Sequence, residues 1–208
     1  MAEPLRFLQP PQGGLDRHSA LGDLCDLLPD LAPGVRLDEM PFPGQLLLRG
    51  QGAVFHRAAQ EVLGAALPTT PLSVASGERC EILWMSSDSW LILLTGGQED
   101  VVARRLQQAF VAAELRTAVV IDQSDSRTVF HLYGPKVHDL LAKGCRLDLH
   151  PSVMPPGQVT RTLFAELPIL LQTLAGDDRV GSVVYRVMIE NSYAQFLVQW
   201  LAQGCEGY

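Results

Sequence analysis

At two places in this chain a short apolar strand runs into glycine and leaves it as an amphipathic helix. The clearer copy is residues 132–151, LYGPKVHDLLAKGCRLDLHP. A strand ends at Tyr133, and Gly134-Pro135 turns the chain. A short helix then places Val137, Leu140 and Leu141 on one face. Gly144 stops that helix, and an extended arm from Cys145 to His150 leads to Pro151. The looser copy is Leu46-Leu47-Leu48-Arg49-Gly50, followed by a helix over 54–63 with Val54, Ala58, Ala59, Val62 and Leu63 on one side. A strand that feeds a covering helix, repeated, constrains the fold to layers of sheet and helix.

The remaining segments fit that plan. Residues 1–14, rich in Pro, Gly and Gln, read as an arm without a core of its own. Residues 15–28 are mildly helical through Leu21, Leu24, Leu27 and Leu28, and 31–44 read as loop around Pro33, Pro41 and Pro43. Residues 68–77 read as a connector. A hairpin follows, with strands over 81–85 and 90–95 and turn chemistry from Ser87-Asp88. The next helix, 99–113, has Val102, Leu106, Ala109 and Phe110 as its apolar face.

Beyond it, 118–121 reads as a buried strand and 128–133 as the strand entering the clearer copy. A second hairpin, 159–166 with 168–174, and an acidic turn over 175–181 precede a strand over 182–190. Ser192 is expected to cap a last helix whose core face is Tyr193, Phe196, Leu197, Trp200 and Leu201.

Side by side, these segments predict an α+β fold of duplicated βαββα-type units with mostly antiparallel sheet. The expected division is a lead-in over 1–44, a first half over 45–116 and a second half over 117–208, the halves sharing one core in one compact unit. The length of 208 residues and a hydrophobic content of 47% permit this.

A net charge of −7 argues against nucleic acid and against an anionic membrane surface, since both need a cationic face. The N-terminus, with Glu3, Pro4, Arg6 and Pro10, does not read as a signal peptide, and no apolar run is long enough to span a bilayer. A cytoplasmic location is the expectation. Cys25, Cys80, Cys145 and Cys205 are widely scattered and read as free thiols.

Candidate chemistry is sparse. Gly50-Gln51-Gly52 sits where a dinucleotide-binding turn would, but Phe55 stands where that turn needs glycine, and Thr70 stands where it needs an acid. Ser124, Asp125 and Ser126 precede His131 without an elbow around the serine, so a polar loop is the plainer reading. His18, His56, His131, His138 and His150 form no short-spaced pair suited to a metal, and His56 and His138 are expected on exposed helix faces. Asp177-Asp178 and Glu99-Asp100 read as exposed acids. Trp84, Trp90 and Trp200 read as core, although an aromatic at an edge can also anchor a protein interface. In the bend Asp148-Leu149-His150-Pro151, His150 can cap the loop, pin Asp148 or touch a partner. No catalytic, cofactor-binding or metal residue is assigned.

The run GPKVHDLLAKGCRLDLHP, then MPPGQVTRTLFAELPILL and VYRVMIENSYAQFLVQWL, resembles the gamma subunit family of heterotetrameric sarcosine oxidase. The matching positions are Gly134, Pro135, Asp139, Leu141, Lys143, Gly144, Cys145, Asp148, Leu149, His150 and Pro151. Downstream they are Thr160, Arg161, Thr162, Ser192, Tyr193, Phe196 and Trp200. The first hairpin also resembles the family's, although Ser86-Ser87-Asp88-Ser89-Trp90 replaces the usual Gly-Pro-Asp-Glu-Trp.

The resemblance implies the fold of the folate-binding aminomethyltransferase of the glycine cleavage system. It implies a non-catalytic subunit of an oxidoreductase complex that removes N-methyl groups from sarcosine or a related amino acid. Alpha, beta and delta subunits would be its partners, alpha chiefly. They would carry the FAD, FMN, NAD, zinc and tetrahydrofolate. Asp148, His150 and Pro155 are the expected partner contacts, together with the N-terminal arm. A stand-alone folate-binding protein of the same fold is the alternative, and an esterase using Ser126 and His131 is a third.

Overall fold

Both strand–glycine–helix turns form. The computed structural model describes residues 18–22, 24, 31, 33–40, 42–94, 97–176 and 183–206. In chain order the elements are β1 (Arg36–Glu39), β2 (Gly44–Arg49), α1 (Ala53–Leu63), β3 (Val74–Ser76), β4 (Cys80–Ser86), β5 (Ser89–Leu94) and α2 (Glu99–Ala112). Then come β6 (Val119–Asp122), β7 (Arg127–Tyr133), α3 (Val137–Gly144), β8 (Val159–Phe164), β9 (Leu167–Ala175), β10 (Val183–Glu190) and α4 (Asn191–Gly204). The expected arm over 1–14, most of the expected helix over 15–28, Cys25 and Asp177-Asp178 lie outside the described residues.

The described chain divides into two units, 42–125 and 18–40 with 126–206. Each has a five-stranded antiparallel sheet, β3-β4-β5-β2-β6 in the first and β1-β7-β10-β9-β8 in the second. Matching β2 to β7, α1 to α3, β3 to β8, β4 to β9, β5 to β10 and α2 to α4 makes the two sheets equivalent strand for strand. The repeat is therefore βαβββα, one strand richer than expected, because β3 forms inside the expected connector. The outer strand beside β2 is β6, which follows its unit; the one beside β7 is β1, which precedes it.

That exchange corrects the expected boundaries. Residues 36–39 are a strand rather than loop: Leu37 is buried, and all four residues pair with β7. Val119 and Ile121 belong to the first unit, and they are exposed on an edge strand rather than buried. Each unit has its own buried apolar cluster.

In the first cluster Phe55, Ala58, Ala59 and Leu63 of α1 and Leu106 and Phe110 of α2 cover Leu46, Leu48, Ile82, Trp90 and Ile92. Val54, expected on the apolar side, is 45% exposed and Phe55 takes its place. The Phe55 ring stacks on Phe110 at 5.1 Å and occupies the space a Cβ on Gly50 would need. Glycine in that turn therefore serves aromatic packing rather than a phosphate. In the second cluster α3 and α4 cover Leu37, Phe130, Leu132, Leu171, Tyr185 and Val187. Gly134 adopts a φ of +117° against the backbone of Gly34, whose carbonyl accepts the Lys136 N–H at 2.9 Å.

Candidate functional site

The bend between α3 and β8 is anchored from beneath by two buried side chains, Leu149 and Met154. Its polar groups turn the chain locally. Asp148 Oδ1 accepts the His150 backbone N–H at 2.9 Å, and the His150 carbonyl accepts from Val153 and Met154 at 2.8 and 2.9 Å. His150 Nδ1 accepts the Ser152 backbone N–H at 3.3 Å, so it carries a lone pair, and the Ser152 hydroxyl 2.7 Å away is a donor to it. Asp148, rather than the His150 ring, supplies the pin expected between these two residues.

Two ties reach the bend from the sheet. Tyr185, 1% exposed, donates its hydroxyl to the Leu149 carbonyl at 3.1 Å. Because that proton is committed, His138 Nδ1, 2.9 Å from the same oxygen, is the donor of the pair. Burial pushes the Tyr185 phenol up to about 12. Farther on, Thr173 Oγ1 donates to the Pro155 carbonyl at 2.6 Å. Asp148, His150 and Pro155 thus all lie exposed on one stapled loop, with Leu147 and Val153 exposed beside them.

The other marked residues are held in structural contacts. Ser124 is buried; its hydroxyl accepts the Gln45 N–H at 3.0 Å and donates to Asp122 Oδ1 at 2.6 Å. His131 Nε2 accepts Arg186 Nε–H at 3.1 Å, and the same guanidinium reaches Gln172 Oε1 at 2.9 Å, all three side chains being buried. A ring nitrogen already accepting from a guanidinium does not take a serine proton.

Four expectations change. His138 is tied to Tyr185, and the His56 ring sits edge-on to Trp90 at 5.2 Å, so neither is simply an exposed helix residue. Glu99 is buried rather than exposed. Ser192 lies inside α4 and caps nothing, since the helix begins at Asn191 without a side-chain cap. Tyr193 and Phe196, expected in the core, are 39% and 49% exposed, while Ala194 and Val198 are buried instead. A cleft of about 350 Å³ in the first unit, floored by Val62, Leu63 and Val102 and rimmed by Glu61, Arg79 and Arg105, carried no mark in the sequence.

A family model described as sarcosine oxidase, gamma subunit family, matches residues 49–206. This chain belongs to that family. The sarcosine oxidase subunit gamma of Corynebacterium sp. strain U-96 is 30% identical over 80% of this chain and 77% of its own length. The one from Arthrobacter sp. is 30% identical over 82% and 79%.

Among solved structures, a chain of heterotetrameric sarcosine oxidase from Corynebacterium sp. U-96, in complex with pyrrole 2-carboxylate, matches with a TM-score of 0.78. That match has 28% identity and covers 91% of this chain and 94% of that one. The glycine cleavage system aminomethyltransferase T from Bartonella henselae matches with a TM-score of 0.59 at 14% identity, over 88% of this chain and 48% of that one, a likeness of fold. The gamma subunit family thus has the fold that the resemblance implied. No helix among the described residues is long and apolar enough to cross a membrane.

Proposed function

We propose that this chain is a structural gamma subunit of a cytoplasmic, heterotetrameric, flavin-dependent oxidase acting on sarcosine or a related N-methyl amino acid. Redox chemistry belongs to its partners. Alpha, beta and delta chains hold the FAD, FMN, NAD, zinc and tetrahydrofolate, and alpha is the chief contact. The observation that carries this reading is the near-complete mutual coverage with one chain of a heterotetrameric enzyme. The site geometry supports it: the Ser124 hydroxyl is held by Gln45 and Asp122, and His131 Nε2 accepts from Arg186.

The stapled bend carrying Asp148, His150 and Pro155 is one contact with the assembly. Its exposed apolar pair, Leu147 and Val153, sits on a loop already ordered before docking, which lowers the entropic cost of binding. Co-expression with the polypeptides encoded beside this one tests the reading. The expected result is a yellow complex in which this chain is stoichiometric. A monomer that binds a reduced folate and captures no flavoprotein would replace it with the folate-binding alternative. His150→Ala tests the bend, and assembly at wild-type yield would remove that residue.

A further inference from the structure

The cleft in the first unit is walled by the last turn of α1, the turn into β4 and the first two turns of α2. At about 350 Å³ it lies at the small end of the range that ligand pockets occupy. Its floor, from Val62, Leu63 and Val102, is apolar. Its rim carries two carboxylates, Glu61 and Glu78, and two guanidiniums, Arg79 and Arg105. Surface ions elsewhere on the chain do pair, Arg49 with Asp88 at 3.2 Å and Arg146 with Glu166 at 3.3 Å. Among the described residues none of the four rim charges takes part in an ion pair. Charges of both signs thus surround one apolar floor without neutralising one another. The end of α1 adds to the negative side: it stops at Gly64 in the left-handed conformation, with no basic residue in its last turn to offset the terminal carbonyls.

A ligand that satisfies this cleft needs an anionic group, a cationic group and a small apolar body. A plain anion would face the two carboxylates, and a plain cation the two guanidiniums. We propose that the cleft binds a small zwitterion, an α-amino acid with an aliphatic side chain. Its carboxylate takes the forked N–H groups of Arg79 and Arg105. Its ammonium goes to Glu61, Glu78 and the carbonyl end of α1, and its side chain covers Val62 and Val102. The site goes beyond the subunit reading and does not depend on it.

The test is a ligand-observed NMR titration of the full-length chain, in its co-expressed complex, with L-leucine as the probe at neutral pH. The rim charges are hydrated, so a Kd on the order of 1 mM is expected. Arg79→Gln and Arg105→Gln should each weaken binding at least fivefold, with thermal unfolding unchanged because both side chains are exposed. Arg104→Gln, outside the cleft on the same helix, should bind as wild type. Two further probes separate the charges: leucine methyl ester lacks the carboxylate and isocaproate lacks the ammonium, and each should bind at least fivefold more weakly than L-leucine. The double change Glu61→Gln, Glu78→Gln should weaken L-leucine and not isocaproate. Absence of saturable binding to the wild type would overturn the proposal. So would L-leucine binding that survives both arginine changes, which would place it elsewhere, or isocaproate binding as tightly as L-leucine, which would make the site one for a simple carboxylate. None of these outcomes bears on whether the chain assembles with a flavoprotein.

Discussion

The Tyr185 hydroxyl lies 3.1 Å from the Leu149 carbonyl, 36 positions earlier in the chain. It is one of two points at which the sheet holds the exposed bend, the other being Thr173. Tyr185→Phe keeps the ring but leaves a buried carbonyl and the His138 N–H without that oxygen. Loss of about 1–3 kcal/mol is expected, read from denaturant melts. Stability equal to wild type would show that the tie contributes nothing.

Alkaline pH should act on the same residue. Tyr185 is pushed up to about 12 by burial, and Tyr133 to about 12 by burial first and then by its hydrogen bond to Asp38. The native state therefore holds these phenolic protons more tightly than the unfolded chain. Their stabilisation is complete below pH 10 and falls as pH rises from 10 toward 12. Melting temperatures should drop through that window, and the drop should be shallower in a Tyr133→Phe, Tyr185→Phe double variant. Equal slopes would refute the assignment.

Glycine substitutions should separate strain from crowding. A Cβ at Gly134 would stand 2.5 Å from the Gly34 carbonyl, at a φ of +117°. Gly52 has a φ of +91° but open space around it. Gly134→Ala is expected to cost about 2–4 kcal/mol, and Gly52→Ala about 1 kcal/mol. Chemical unfolding of the pair checks the order, and similar costs would mean that the close approach of residues 34 and 134 relaxes.

Thiol chemistry offers another check. Cys80, Cys145 and Cys205 are free and buried, and burial raises the Cys80 and Cys205 thiols. In a Cys25→Ser background the native protein should react with a thiol reagent at neutral pH far more slowly than the denatured chain, which should yield all three. Prompt native reaction would mean that these sites open.

The bend before β8 and the faces of α4 were only partly legible in sequence. Asp148, His150 and Pro155 read correctly as loop residues, because Pro and Asp punctuate the chain locally. What holds that loop did not: Tyr185 and Thr173 reach it from strands far along the chain. The α4 face was misassigned for a related reason. With apolar residues at 193, 194, 196, 197, 198, 200 and 201, helical periodicity allows more than one inward face.

Local pattern alone determined the repeated strand–glycine–helix turns, the hairpin at Ser87-Asp88 and hence an antiparallel α+β fold. Those signals lie within a few residues of one another, where backbone preference and side-chain period act directly. Tertiary structure decided which outer strand completes each sheet, that residues 36–39 and 74–76 are strands at all, and that Ala194 rather than Phe196 faces the core. Each of these depends on a partner distant in sequence: a three- or four-residue strand exists only where a neighbour supplies its hydrogen bonds, and a helix face is chosen by the surface beneath it.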